Sequence, residues 1–115
     1  MDRSFTLPGA GRIVTGVVLS GTVAAGDPVI VSPAGVPARV RSLHAQHENA
    51  VQARAGQRCA LNLAGLDLKH AEPVRGDWVL APQAHAPTLR LDVQLELLAT
   101  EPRPLTERAA LQLHL

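Results

Sequence analysis

The chain has 115 residues, 46% of them hydrophobic, and its 11 basic and 10 acidic side chains give a formal net charge of +1. That length supports one domain with a real core, or one small domain and part of another. The near-neutral balance gives no general electrostatic case for nucleic-acid binding. The single cysteine, Cys59, excludes disulfides and cysteine-based zinc sites within one chain.

Residues 6–21, TLPGAGRIVTGVVLSG, interleave glycines with β-branched residues. A P-loop needs Lys and Ser/Thr after its second glycine, but Val17 and Val18 follow Gly16. A dinucleotide fingerprint needs a third glycine where Val14 stands. Val, Ile and Thr favour strands, so Pro8, Gly9 and Gly11 read as a turn feeding a strand from near Arg12 to near Ser20. Short strands are expected at 28–31 and 38–43, joined by the turn PAGVP at 33–37. If 38–43 alternates, Arg39 and Arg41 share its exposed face. Residues 44–54 are polar, a loop with a strand in it. Residues 55–65 turn and enter an apolar strand. Residues 66–74 suggest a short helical turn ended near Pro73, and RGDWVLAP at 75–82 reads as turn, strand and stop.

Residues 83–87, QAHAP, have linker composition. Beyond them Leu89, Leu91, Val93, Leu95 and Leu97 alternate with Arg90, Asp92, Gln94 and Glu96, the pattern of a half-buried strand. A connector with two prolines follows, and Leu111, Leu113 and Leu115 alternate again. The expectation is all-β: six or seven strands in 1–82 closing into a small Greek-key barrel, then the first strands of an incomplete second barrel in 88–115. No stretch resembles a signal peptide or a run of about 18 apolar residues, so a cytoplasmic location is expected.

Few residues suggest chemistry. His44 and His47 are three apart, which suits zinc on a helix, but neither a helix nor a third ligand is evident. No nucleophile–base set and no catalytic carboxylate pair can be argued. Cys59 sits in an apolar run and reads as core, and Asp27 and Asp77 read as turn formers. Asp2, Arg3, Arg39 and Arg41 could meet at one barrel mouth and hold a small anion, or be solvated surface.

The stretch DRSFTLPGAGRIVTGVVLSGTVAAGDPVIV resembles the second, β-barrel domain of the elongation factor Tu-like translational GTPases. The matching residues are Phe5, Leu7, Gly9, Gly11, Ile13, Val14, Thr15, Gly16, Gly21, Val23, Gly26 and Asp27. AGQRCALNLAG and RGDWVLAP resemble later strands of that domain. With VRSLHAQ, these motifs are similar to the bacterial selenocysteine-specific branch. The resemblance implies a domain that holds the 3′ selenocysteinyl end of tRNA for the ribosome, packed on a GTPase domain that carries GTP and Mg. The parent protein would also read an mRNA hairpin that directs selenocysteine insertion. Asp2, Arg3 and Arg41 match the aminoacyl pocket, with the arginines facing the selenolate. Gly9, Gly11 and His44 match its 3′-end neighbours. The chain has no P-loop or switch elements, so GTP hydrolysis is not expected of it, nor any cofactor or metal. Alternatives are the same domain of another translational GTPase, or a non-catalytic protein-interaction barrel.

Overall fold

A computed structural model describes residues 1–46, 48–67 and 72–112. Its strands are β1 (Arg3–Leu7), β2 (Gly11–Val17), β3 (Thr22–Ala24), β4 (Pro28–Ser32), β5 (Val36–Ala45), β6 (Glu48–Ala50), β7 (Gln52–Arg54), β8 (Arg58–Ala64) and β9 (Trp78–Leu80). A single 3-10 turn, Pro82–Ala84, follows. The glycine-rich opening stretch is a hairpin. Leu7 pairs with Gly11, and the Ala10 N–H donates to the Leu7 carbonyl at 3.0 Å. Gly9 and Gly11 stand at φ +79° and +100°, a region closed to most side chains.

The main sheet runs β1-β2-β8-β5-β4-β9, with β6 on β5, and β3 and β7 form a separate pair. The core lies on one face, built from Val14, Val31, Val40, Leu43, Leu61 and Leu63. In β5 the buried positions change parity. Val36 and Val40 are even, whereas Leu43 and Ala45 are odd. The register explains it: Val40 pairs with Leu63 and Ser42 with Asn62, so Arg41 is an extra, bulged residue. Strict alternation over 38–43 is therefore broken at Arg41.

The expected closed barrel does not form. Among the described residues β1 pairs only with β2, and β9 only with β4. Closure needs a continuous ladder, but the chain opposite the start of β1 is a turn, with Gly76 at φ +98°. Two bonds cross there instead of a ladder. The Met1 amino group donates to the Asp77 carbonyl at 2.7 Å, and the Gly76 N–H to the Met1 carbonyl at 3.0 Å. Further along, β1 and residues 72–75 are separated by an open groove of about 470 Å³.

The first of the strands expected of a second barrel, over 89–98, is not formed among the described residues. Residues 88–112 contain no strand. Leu113–Leu115 and residues 68–71 of the expected helical turn lie outside the described residues. The leucines of 89–98 are exposed, Leu89 fully. A lone strand has no partner for its backbone groups or its apolar face, so the alternation there has nothing to pair with. The radius of gyration, 17.6 Å, exceeds the roughly 13–14 Å of a compact chain this long.

Two measurements check this division. Leu43→Ala should lower the unfolding free energy of the chain by about 2–5 kcal/mol in a urea titration. Leu95→Ala should change it by less than about 0.5 kcal/mol. Burial pushes the Cys59 thiol above its ordinary range, partly opposed by Arg58. The neutral thiol is thus favoured by folding. Its contribution is present below about pH 8.5 and is lost as pH rises through the folded value. Unfolding free energy should fall above that pH, and less steeply in Cys59→Ala.

Candidate functional site

The face of the main sheet opposite the core carries the candidate site. Register aligns two rows across four strands. One is Arg3, Thr15, Ala60 and His44, and the other is Phe5, Ile13, Asn62 and Ser42. A cleft of about 210 Å³ lies over them, lined by Phe5, Leu7, Ala10, Ile13, Ser42, His44, Ala60 and Asn62. Its walls are mostly apolar, with Ser42 and His44 from β5 and Asn62 from β8 as polar groups. Such a mixture suits a flat, partly polar ligand. The β5 bulge puts Ser42 and His44 on this face while Leu43 and Ala45 stay in the core.

The hairpin turn closes one end. Asn62 Nδ2 donates to the Ala10 carbonyl at 2.9 Å. A Cβ on Gly11 would lie 3.8 Å from Asn62 Oδ1. Gly11 thus borders the cleft, whereas Gly9 stands at the open tip of the turn, with nothing within 4 Å of an added Cβ.

None of the charged candidates lines this cleft. Asp2 bonds Arg58, its Oδ2 accepting from Nη1 at 2.5 Å, and its N–H donates to the Thr15 carbonyl at 2.7 Å. Asp2, Arg3 and Arg41 make no ion pair with one another. Arg3 opens β1 and also lines the groove with Glu72 and Arg75. Arg41 is exposed at the bulge, and among the described residues neither it nor Arg3 has a carboxylate partner. β1 and β5 are three strand spacings, about 14 Å, apart in the sheet, and Arg41 is three residues along β5 from His44, the residue in the row of Arg3. Arg39 is engaged elsewhere, donating to the Gly26 carbonyl at 2.7 Å.

The zinc pair cannot be followed, because His47 lies outside the described residues. Among the described residues no group of three or more His, Cys, Asp or Glu side chains could hold a metal. No helix there is long and apolar enough to cross a membrane. Sequence reasoning missed Arg58 and Asn62. The signal for Asn62 was present, as the one polar side chain inside CALNLA. Arg58 could be recognised only once β8 placed it beside Asp2.

A family model described as elongation factor Tu domain 2 matches residues 11–80. The chain belongs to the elongation factor Tu domain 2 family. Within that family it is similar to the selenocysteine-specific elongation factors. It is 44% identical over 114 residues to the selenocysteine-specific elongation factor of Escherichia coli (strain K12), covering 99% of this chain and 18% of that protein. The corresponding protein of Desulfomicrobium baculatum is 38% identical, with the same coverages. A crystal structure of bacterial selenocysteine-specific elongation factor EF-Sec superposes with a TM-score of 0.62 at 38% identity, over 71% of this chain and 14% of that one. Apo translation elongation factor SelB from Methanococcus maripaludis gives a TM-score of 0.64 at 34% identity, over 70% and 17%. The chain thus spans under a fifth of these relatives. What it matches is domain 2 of this elongation factor family, over residues 11–80.

The cleft depends on the hairpin that this family model begins to match at Gly11. Gly11→Ala would force a side chain to φ +100° beside Asn62. It should lower the unfolding free energy of the chain by about 1–3 kcal/mol in a urea titration.

Proposed function

We propose that this chain is the aminoacyl-tRNA-binding domain of a selenocysteine-specific elongation factor, holding the 3′ selenocysteinyl end of tRNA for delivery to the ribosome. The observation that carries the reading is the outer-face cleft. It has apolar walls, His44 in its lining and the Gly9–Gly11 turn beside it. Outside that lining, Arg3 and Arg41 on the flanking strands have no carboxylate partner among the described residues. The terminal adenosine sits against Phe5, Leu7 and Ile13, with His44 and Gly11 as neighbours. The selenocysteinyl group lies toward Arg3 and Arg41.

The chemistry favours that placement. A selenol is ionised at neutral pH, and arginine stays charged throughout. Its contact with a selenolate is a charge-assisted hydrogen bond that a seryl hydroxyl cannot reproduce. Once the tRNA end covers these arginines, the wrong amino acid leaves them desolvated and unpaired. Asp2 orients Arg58 at the edge of the same face.

Residues 1–82 are the binding domain and 83–87 the linker. Residues 88–115 belong to the domain that follows, whose remainder supplies the partners their leucines lack. GTP and Mg are bound by the GTPase domain of the parent protein. Contacts with the ribosome and the insertion-directing mRNA hairpin are also made by that protein, in the cytoplasm.

The test compares selenocysteinyl-tRNA with seryl-tRNA on the full-length protein. Arg3→Ala and Arg41→Ala should each reduce the preference for selenocysteinyl-tRNA by about 10–100-fold. Unchanged discrimination in both variants would refute the pocket assignment.

A further inference from the structure

Asn62 carries more than its place in the floor of the cleft. Only 9% of its surface is exposed, and its row neighbours on either side are Ile13 and Ser42. An amide in such a place costs stability unless its groups are bonded. Here the bonding is one-sided. Nδ2 donates to the Ala10 carbonyl, which fixes the orientation of the amide, while Oδ1 is buried with no partner in the protein. Leucine has the same branching, though a larger volume, and has no polar atoms to leave unpaired. The retained bond therefore has to be explained by what it holds.

It holds the tip of the hairpin. Ala10 lies between β1 and β2, beyond their last paired residues, Leu7 and Gly11. Within the turn, the Ala10 N–H bonds only locally, to the Leu7 carbonyl. The bond from Asn62 reaches across 52 residues and ties the tip to β8, the neighbouring strand. Leu7 and Ala10 are walls of the cleft, so the distance from the tip to β8 sets its width.

We propose that Asn62 is a positioning residue for the terminal nucleotide: its amide donor clamps the turn at Ala10 to β8 and fixes the cleft at binding width. This rests on reading the cleft as the seat of the 3′-terminal nucleotide. Without the clamp the glycine-flanked tip swings, and the ligand must order it on binding.

The experiment uses the full-length protein bound to GTP. It compares affinity for intact selenocysteinyl-tRNA with affinity for the same tRNA lacking its 3′-terminal nucleotide. Two variants are used. Asn62→Leu keeps the branching of the side chain, in a larger volume, without a donor. Asn62→Asp keeps the shape and the acceptors but, ionised, cannot donate. Both should bind intact tRNA about tenfold more weakly and the shortened tRNA as wild type does. A general structural defect would weaken both RNAs, and that result overturns the proposal. Wild-type affinity in Asn62→Asp overturns it as well, since a carboxylate cannot make the clamp. If Asn62→Leu fails to fold, as shown by thermal melting, Asn62→Asp alone decides. Equal wild-type affinity for intact and shortened tRNA would instead refute the reading of the cleft.

Discussion

The pairing of β5 with β8 is the constraint on which the rest of the domain depends. β5 is the longest strand and pairs with β8, β4 and β6. Its bulge at Arg41 lets one strand serve two faces with a change of parity. If the same residues alternated strictly, with no bulge, a strand that buries Val36 and Val40 would point Leu43 outward and Ser42 and His44 into the core. That would remove a fully buried leucine from the core and both polar groups of β5 from the cleft. The inserted residue is itself an arginine, so the irregularity that rescues the core also presents a cation.

The second constraint is the open side of the sheet. β1 and β9 share no ladder, and two backbone bonds through Met1 cross the gap where a strand pair was expected. Gly16 accommodates this crossing, since a Cβ there would sit 3.5 Å from Met1 Cα. Asp2 is consequently anchored, through Thr15 and Arg58, even though it precedes the first strand. Arg12 adds a link on the same side, pairing with Glu72 across the start of the groove.

Much of this was legible in the sequence. The β-branched run after Gly11, the turn at 33–37 and the apolar strand before Gly65 gave the central strands, because each pattern reports local preference and burial together. The four-motif resemblance led to the right family. Closure was not legible, because it depends on which edge strands meet, and Gly76 turns the chain away at that point. The bulge left a trace, since Val40 and Leu43 are three apart, but expecting strict alternation hid it. Residues 89–98 have the strongest alternation in the chain yet form no strand. Periodicity reports the face a strand would bury and is silent on whether a partner is present. Asn62 was overlooked because an apolar strand run reads as core, and only register puts it on the opposite face from Leu61 and Leu63.

These features reduce to one claim, that the outer face of β1, β2, β8 and β5 receives the aminoacylated tRNA end. Amide hydrogen exchange on the full-length protein, with GTP, with and without selenocysteinyl-tRNA, addresses it directly. Slowed exchange should concentrate at residues 3–13, 41–44 and 58–62, with 22–24 and 52–54 unchanged. Protection confined to other surfaces, leaving those three segments as they are in the free protein, would contradict it.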